Sequence, residues 1–310
     1  MECNSKIYIA GHTGLVGSAL VRQLEQQGYN NIIVRTHNEL DLTNQQLTET
    51  FFSQEKPDYV LMAAALVGGI LANNTYRAEF IYQNLMIQTN IIHAAWKTKV
   101  KKLIFLGSNC SYPAQAPQPM KEEYLLTGTL EPTNEPYAVA KIAGIKMCEN
   151  YNRQYGTKFI SIMPTSLYGP NDNFDLNNSH VLPALIRKTH EAKINNAETL
   201  ELWGSGSPKR EFMYVDDLAK ACIFLLKHSI TDGLFNIGTG DDIAIRDLAE
   251  LIKGIVGFKG ELVFDLSKPD GMPRKLLDIS KIKSLGWQAE TSLEHGIEKT
   301  YRYFQKQIGR

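Results

Sequence analysis

The chain has 310 residues, of which 43% are hydrophobic and 21% are charged, and 33 lysines and arginines balance 33 aspartates and glutamates. This length and composition are typical of a globular protein with one large domain or two joined domains, and they exclude extended disorder. Because the net charge is zero, no long-range field draws the chain to nucleic acid or to an anionic membrane surface.

Targeting and metal-binding patterns are missing from the sequence. The N-terminus lacks the basic and apolar regions of a signal peptide, and the longest apolar run, residues 59–70, is too short to span a bilayer. The four cysteines are scattered, without histidine partners at metal-ligand spacing. We therefore expect a soluble, cytoplasmic protein with free thiols and no metal.

Short apolar segments alternate with helical patterns in the first half of the chain. We expect helices at residues 16–27, 84–97 and 134–155, and strands at residues 6–10, 32–34, 59–64, 102–106 and 159–163. Strands that are apolar throughout, with helices between them, are typical of a parallel sheet covered on both faces. The sequence therefore predicts an α/β fold with a Rossmann-type doubly wound parallel sheet.

The composition changes after Gly169. Asparagine and aspartate crowd residues 171–178, and short strands then mix with helices. We predict a dinucleotide-binding Rossmann domain at residues 1–169 and a smaller C-terminal α/β substrate-binding domain at residues 170–310. Residues 212–238 contain an apolar helix and strand that we expect to return to the first sheet.

A glycine-rich turn follows the first predicted strand and opens a helix; its residues are Gly11, His12, Thr13, Gly14, Leu15, Val16 and Gly17. This spacing lets the backbone approach a pyrophosphate, while the amides at the helix N-terminus offer it hydrogen bonds. Glycine triplets often make only a turn, but a position between strand and helix favours a dinucleotide cofactor.

The residues after the second strand select the cofactor. A carboxylate there binds a free ribose 2′-hydroxyl, whereas an arginine accommodates a 2′-phosphate. Arg35 therefore favours NADP(H), with His37 as a possible helper, since the acids Glu39 and Asp41 come later. The alternative is that Arg35 is a surface residue at a strand end.

Three side chains fit carbonyl reduction. Ser108 follows the strand at residues 102–106, and Tyr137 and Lys141 lie one helical turn apart on one face. A tyrosine with its usual pKa near ~10 is a poor acid–base group at neutral pH, and a nearby ammonium stabilises its phenolate. The serine can polarise the same carbonyl oxygen. Together with the glycine turn, these residues predict a nicotinamide-dependent oxidoreductase.

On these residues the chain resembles the extended short-chain dehydrogenase/reductases and, within them, the GDP-L-fucose synthase family. The glycine and Tyr/Lys motifs mark only the superfamily. The narrower resemblance covers most of the chain through the stretches GHTGLVGSA, AAALVGGILANNTY, FIYQN, LGSNCSYP, LEPTNEPYAVAKIAGIKMCENYNRQYG, MPTSLYGPNDNF, NNSHVLPAL, LWGSGSPKREF, VDDLA and KPDGMPRKLLD.

The resemblance implies an NADPH-dependent enzyme that inverts C3 and C5 of GDP-4-keto-6-deoxy-D-mannose and then reduces its C4 ketone. Removal of a proton from a carbon beside the ketone produces an enolate. Tyr137 and Ser108 can stabilise the negative charge on its oxygen. The resemblance assigns the acid–base work of the inversions to Cys110 and His180, and both residue types can act near neutral pH. It also implies a homodimer, through the helix at residues 84–97 and the Tyr137 helix.

The resemblance also assigns binding roles position by position. Besides the glycine turn, the residues that would contact the cofactor are Leu106, Gly107, Ser108, Asn109, Lys141, Pro164, Thr165, Ser166, Leu167 and His180. Those that would bind the GDP-sugar are Lys188, Trp203, Arg210 and Asp270, which offer cations to pyrophosphate, a ring to base or sugar, and a carboxylate to hydroxyls. The chain departs from well-known members at Thr13 and His37, where those members carry arginines that hold the cofactor phosphate.

Two other functions fit parts of this pattern. A nucleotide-sugar 4-epimerase or 4,6-dehydratase would share the fold and the Tyr/Lys pair, but a dehydratase would be expected to carry acidic groups where Asn109 and Cys110 stand. A cofactor-binding regulator without catalysis would be expected to have lost Ser108, Tyr137 or Lys141, and all three are present.

Overall fold

The structure is a computed structural model that describes residues 1–176, 178–268 and 270–309, with the backbone alone at residues 70 and 71. Its central sheet has six parallel strands: β1 (Ile7–Ala10), β2 (Ile32–Ile33), β3 (Tyr59–Met62), β4 (Lys102–Leu106), β5 (Phe159–Pro164) and β10 (Leu234–Ile237). Their spatial order is β10-β5-β4-β3-β1-β2. This confirms the predicted α/β fold with a parallel, Rossmann-type sheet.

The sheet is buried because its strands are apolar on both faces. Every residue of β1, β4 and β5 is buried. The register pairs Ile7 with Tyr59 and Leu103 with Phe159, so the carboxyl ends of β1, β3, β4 and β5 lie along one edge. β2 is shorter than predicted, since it lies at the sheet edge and pairs with β1 alone.

Six helices accompany this sheet: α1 (Leu15–Gln26), α2 (Gln45–Glu55), α3 (Ile70–Thr75), α4 (Arg77–Lys97), α5 (Glu135–Tyr155) and α7 (Val215–Lys227). α1 packs against α7, whereas α4 packs against both α2 and α5. α5 has Pro136 in its first turn and ends at Gly156, whose φ of 68° suits glycine. α4 begins seven residues before the predicted start, because residues 77–83 continue the helix beyond the apolar pattern.

The remaining strands form three small sheets. These pair β6 (Ser166–Tyr168) with β9 (Phe212–Tyr214), pair β7 (Thr199–Trp203) with β12 (Glu261–Asp265), and join β11 (Ile243–Ala244), β8 (Lys209–Arg210) and β13 (Arg274–Lys275). The other helices are α6 (Val181–Ile194), α8 (Ile245–Val256), α9 (Ser280–Ser284) and α10 (Leu293–Ile308).

A second hydrophobic core lies among these later elements. It joins Ile186 of α6, Leu248 and Ile252 of α8, and Ile297 of α10. β10 nevertheless pairs with β5, and α7 contributes to the core of the central sheet. The domain boundary at residue 169 stays a prediction. Within the described residues, no helix combines the length and apolarity needed to cross a membrane.

Candidate active site

The glycine turn after β1 has a shape that only glycine permits. Gly11 has a φ of +83° and lies against the backbone of Ala64, where an added Cβ would come within 2.7 Å. At Gly17, an added Cβ would clash with the carbonyl oxygen of Gly11. α1 has no side-chain N-cap, so its first amides remain available to an anion. The turn therefore fits the pyrophosphate of a dinucleotide.

A second feature of the turn also fits a ligand. The Nδ1 atom of His12 is buried, and none of the described residues forms a hydrogen bond with it. Buried polar atoms in proteins normally have a partner. The missing partner is what a bound cofactor would supply.

Arg35 is not a free cation in this structure. Its Nη2 lies 2.8 Å from Oε1 of Glu55, and its Nη1 donates to the carbonyl of Val34 at 2.8 Å. The guanidinium also lies 5.5 Å from the ring centre of Phe51. His37, by contrast, is exposed. A role for Arg35 at a 2′-phosphate stays a prediction.

Tyr137 and Lys141 lie on the face of α5 that meets β4. The Nζ of Lys141 donates to the carbonyl of Leu106 at 2.8 Å and lies 5.6 Å from the ring centre of Tyr137. Burial lowers the pKa of Lys141 to about 8. Burial also raises the pKa of Tyr137, although its hydrogen bond with Ser108 acts in the opposite direction. The expected lowering by the ammonium is thus not the dominant effect here.

Ser108 and Cys110 lie just past the end of β4. The Ser108 hydroxyl accepts a hydrogen bond from the backbone N–H of Cys110 at 3.3 Å and caps the short 3-10 turn at Asn109–Ser111. The Ser108 side chain also lies close enough to Tyr137 to act to lower the pKa of its hydroxyl. The turn therefore holds the serine, the thiol and the tyrosine as neighbours.

Two residues that the sequence analysis missed donate to the Cys110 thiol. Nδ2 of Asn134 lies 3.6 Å from Sγ, and Nζ of Lys275 lies 3.8 Å from it. Both belong to stretches that carry the family resemblance, but Lys275 is 165 residues away along the chain. No local spacing could have paired it with Cys110.

His180 lies at the start of α6. The carbonyls of Asn178 and Ser179 lie beside Gly69, in the loop that follows β3. Solvent reaches the His180 ring, yet the protein around it is dense enough that burial lowers the pKa of the imidazole. An imidazole in such surroundings can exchange a proton near neutral pH.

The segment from Pro164 to Leu167 crosses from β5 to β6 at the same sheet edge. Thr165 donates from its backbone N–H to the carbonyl of Ile237 at 3.0 Å, and from Oγ1 to the carbonyl of Glu211 at 3.1 Å. β5 is the neighbour of β4 in the sheet. The two predicted cofactor-lining segments after these strands are therefore side by side.

The four predicted substrate residues share one surface. Nζ of Lys188 lies 5.7 Å from the ring centre of Trp203, which is 67% exposed. Asp270 accepts hydrogen bonds from the backbone and hydroxyl of Ser205, two residues after Trp203. Arg210 lies beside Gly271, and burial lowers the pKa of its guanidinium.

Lys268 adds a second cation to this surface. Its Nζ lies 5.7 Å from the ring centre of Trp203, as far as that of Lys188. The sequence analysis missed Lys268, because a surface lysine in a loop carries no distinguishing pattern. An exposed ring with two ammonium groups suits a flat, anionic ligand.

Residues 7–238 match the NAD dependent epimerase/dehydratase family. GDP-L-fucose synthase 1 of Arabidopsis thaliana is 60% identical over 98% of this chain and 94% of its own length, and GDP-L-fucose synthase of Escherichia coli (strain K12) is 56% identical over 96% of each. Among solved structures, MlghC of Campylobacter jejuni, a GDP-mannoheptose C4 reductase with NADP bound, is 46% identical. Its TM-score is 0.91 over 98% of this chain and 99% of that one.

The fold, the glycine turn and the Ser108, Tyr137 and Lys141 group agree with these likenesses over nearly the full length. The chain belongs to the NAD dependent epimerase/dehydratase family and, within it, to the GDP-L-fucose synthases.

Proposed function

We propose that the chain converts GDP-4-keto-6-deoxy-D-mannose to GDP-L-fucose, as a 3,5-epimerase and NADPH-dependent 4-reductase. The observation that carries this proposal is the grouping after β4. There the Ser108 side chain lies beside Tyr137, and the Cys110 thiol lies one turn away with donors at 3.6 and 3.8 Å. A reductase needs only the first of these features, whereas an epimerase needs a further acid–base group.

The cofactor is NADP(H), which supplies a hydride when bound. The close backbone packing at Gly11 and Gly17 and the unpartnered Nδ1 of His12 fit its pyrophosphate end. Leu106 to Asn109 and Pro164 to Leu167 would line the site further along the sheet edge, and Lys141 and His180 would complete it.

In the reduction, Tyr137 donates its hydroxyl proton to the C4 oxygen of the sugar. Ser108 donates a hydrogen bond to the same oxygen, since its side chain lies beside Tyr137. The ammonium of Lys141 stabilises the phenolate that remains. Its pKa of about 8 leaves most of it charged at pH 7.

In the two inversions, Cys110 and His180 act as the acid–base pair. Each inversion removes a proton from one face of the carbon and returns one to the other face, so a single base is not enough. The oxygen of the intermediate enolate accepts hydrogen bonds from Tyr137 and Ser108. The Cys110 thiolate, beside the ammonium of Lys275, removes the proton, and the protonated imidazole of His180 returns one to the other face.

The GDP part of the substrate would lie on the surface formed by Lys188, Trp203, Arg210 and Asp270. The ring of Trp203 is available for stacking, and the cations meet the two phosphates. Asp270 is already oriented by Ser205 and can accept from a hydroxyl or an N–H group.

We also propose that the chain forms a homodimer through α4 and α5. A shallow cavity of about 290 Å³ lies between these helices; it is lined by Arg77, Ala78, Ile81, Glu135, Pro136 and Val139. Tyr82 and Val139 on the same two helices expose apolar surface. Such a face favours a partner helix pair.

Incubation of the purified protein with GDP-4-keto-6-deoxy-D-mannose and NADPH tests the function. We expect loss of NADPH absorbance together with GDP-L-fucose, identified by NMR of the product sugar. Reduction without inversion at C3 and C5 would leave a C4 reductase, as MlghC is named. Absence of any turnover by folded protein that binds NADPH would refute the proposal.

A further inference from the structure

Glu211 is a fully buried carboxylate to which the mechanism above gives no task. It lies between β8 and β9, directly after Arg210, and its exposed fraction is 0%. The ion pairs found among the described residues do not include Glu211. A buried carboxylate is retained only where hydrogen bonds replace its water.

Backbone N–H groups supply those hydrogen bonds. Oε1 of Glu211 accepts from the N–H of Thr239 at 2.7 Å and from that of Gly240 at 2.8 Å, and Oε2 accepts from the N–H of Leu277 at 3.1 Å. A Cβ added at Gly238 would clash with Oε1, so the chain there comes close only because it is glycine. A carboxylate, which only accepts, satisfies all three donors at once.

The backbone of the same residue joins two further segments. Its N–H donates to the carbonyl of Lys275 at 3.2 Å, and its carbonyl accepts from Oγ1 of Thr165 at 3.1 Å. Lys275 contacts the Cys110 thiol, Thr165 lies in the cofactor-lining segment, and Arg210 is the adjacent residue. Glu211 therefore contacts or neighbours one residue from each of three parts of the site: the thiol, the cofactor-lining segment and the GDP-binding surface.

We propose that Glu211 is a positioning residue, which sets Arg210 and Lys275 at fixed distances from the segment Pro164 to Leu167. Its carboxylate holds the chain after β10 and the chain after β13, and its backbone holds β13 and Thr165. Arg210 at the GDP surface and Lys275 at the thiol are thereby held at fixed positions relative to the cofactor site. This inference rests on the proposed function.

The test is Glu211→Gln, which keeps the shape but turns one acceptor into a donor. One side-chain nitrogen then faces a backbone N–H, at Leu277 or at the Thr239–Gly240 pair. In the variant two N–H groups face each other, so the segment that the carboxylate held moves away. We therefore expect the affinity for GDP to fall roughly tenfold. Affinity for NADPH should change less than about threefold, since the glycine turn lies outside these contacts and Thr165 bonds to the backbone carbonyl of residue 211, which the substitution keeps. Calorimetric titrations with GDP and with NADPH measure both.

Steady-state kinetics separate positioning from general destabilisation. For Glu211→Gln we expect a higher KM for the GDP-sugar together with a lower kcat. The matched control is Glu122→Gln, because Glu122 is also shielded and its Oε1 accepts from the backbone N–H of Asn236 at 2.8 Å. That control should lose stability in a thermal melt but keep both kinetic constants.

Equal kinetic losses in the two variants, or wild-type GDP affinity and kinetics in Glu211→Gln, would overturn the inference. If Glu211→Gln does not fold, Glu211→Asp keeps both acceptor oxygens on a shorter arm. A folded aspartate variant is expected to show a smaller loss of GDP affinity, and wild-type GDP affinity in it would equally overturn the inference. GDP and NADPH binding do not depend on which sugar is turned over, so failure of the proposed reaction would be visible separately in the wild-type protein.

Discussion

At the scale of single residues, the thiol and the phenol of the site have different surroundings. Cys110 is half-buried among the polar groups of Asn134 and Lys275, and the ammonium stabilises negative charge that develops on sulfur. Tyr137 is also only partly buried, but desolvation of its hydroxyl raises its pKa, so it remains a proton donor. The surroundings thus support proton removal by the cysteine and proton donation by the tyrosine.

Substitution at these two residues should separate the two reactions. With Cys110→Ser, we expect deuterium uptake from D₂O at C3 and C5 to fall by roughly 10²-fold or more, because a serine hydroxyl is a much weaker base. With Tyr137→Phe, deuterium uptake should persist at a reduced rate, whereas the rate of NADPH oxidation should fall by roughly 10²-fold. NMR of the sugar and absorbance of NADPH follow the two steps.

Cys3→Ser is the matched control for Cys110→Ser, since Cys3 is exposed and lies outside the site. It should leave both rates unchanged. Wild-type deuterium uptake by Cys110→Ser would show that the base is another group.

At the scale of elements, the glycine turn and α1 form one unit. Gly17 lies in the first turn of α1, and its missing side chain lets the helix approach the carbonyl of Gly11. The conformation of the turn and the direction of the helix amides are therefore coupled. A change at Gly17 acts on the cofactor site without touching the catalytic residues.

Gly17→Ala should weaken NADPH binding at least tenfold, because the added methyl clashes with Gly11 and moves the turn. Calorimetric titration of NADPH into the folded variant measures the loss. Gly254→Ala is the control: Gly254 lies in α8 with open space around its Cα, and alanine there should raise stability by about 0.5–1 kcal/mol without changing NADPH affinity. Unchanged affinity in Gly17→Ala would mean that the turn does not hold the cofactor.

Helix and strand bounds were predicted well where they depend on local pattern. β4 occupies the predicted residues 102–106, and α5 begins one residue after its predicted start. β2 ends one residue early, because an edge strand has one partner, and α4 starts seven residues before the predicted start. The local sequence pattern predicts neither the edge position of β2 nor the early start of α4.

At the scale of the whole molecule, α4 and α5 present one face away from the sheet. If this face joins two copies of the chain, a charged side chain in the shallow cavity between α4 and α5 should dissociate the dimer. Val139→Arg places a guanidinium there, and we expect the mass by light scattering to fall from twice 34.9 kDa toward 34.9 kDa. Val263→Arg is the control, since Val263 is also exposed but lies on β12. A wild-type protein of 34.9 kDa at micromolar concentration would contradict the proposed dimer.

The grouping of the site was predicted in part. The resemblance implied that the glycine turn, Ser108 and the segment after β5 contact one cofactor. The structure brings these segments to one edge, because the carboxyl ends of parallel strands meet there. The availability of Arg35 was not predictable, because its partner Glu55 lies on α2, 20 residues away. The roles of the individual site residues remain predictions for the experiments above.

The amino-acid sequence by itself determined the parallel sheet, the glycine turn and the spacing of Tyr137 and Lys141, because apolar periodicity, glycine conformation and helical rise act over a few residues. Only the tertiary structure decided that Lys275 meets Cys110 and that the Glu211 carboxylate gathers the N–H groups of Thr239, Gly240 and Leu277. These contacts join residues from 28 to 165 positions apart, and their partners are chosen by how the later strands pack against the first sheet. No local pattern records that packing.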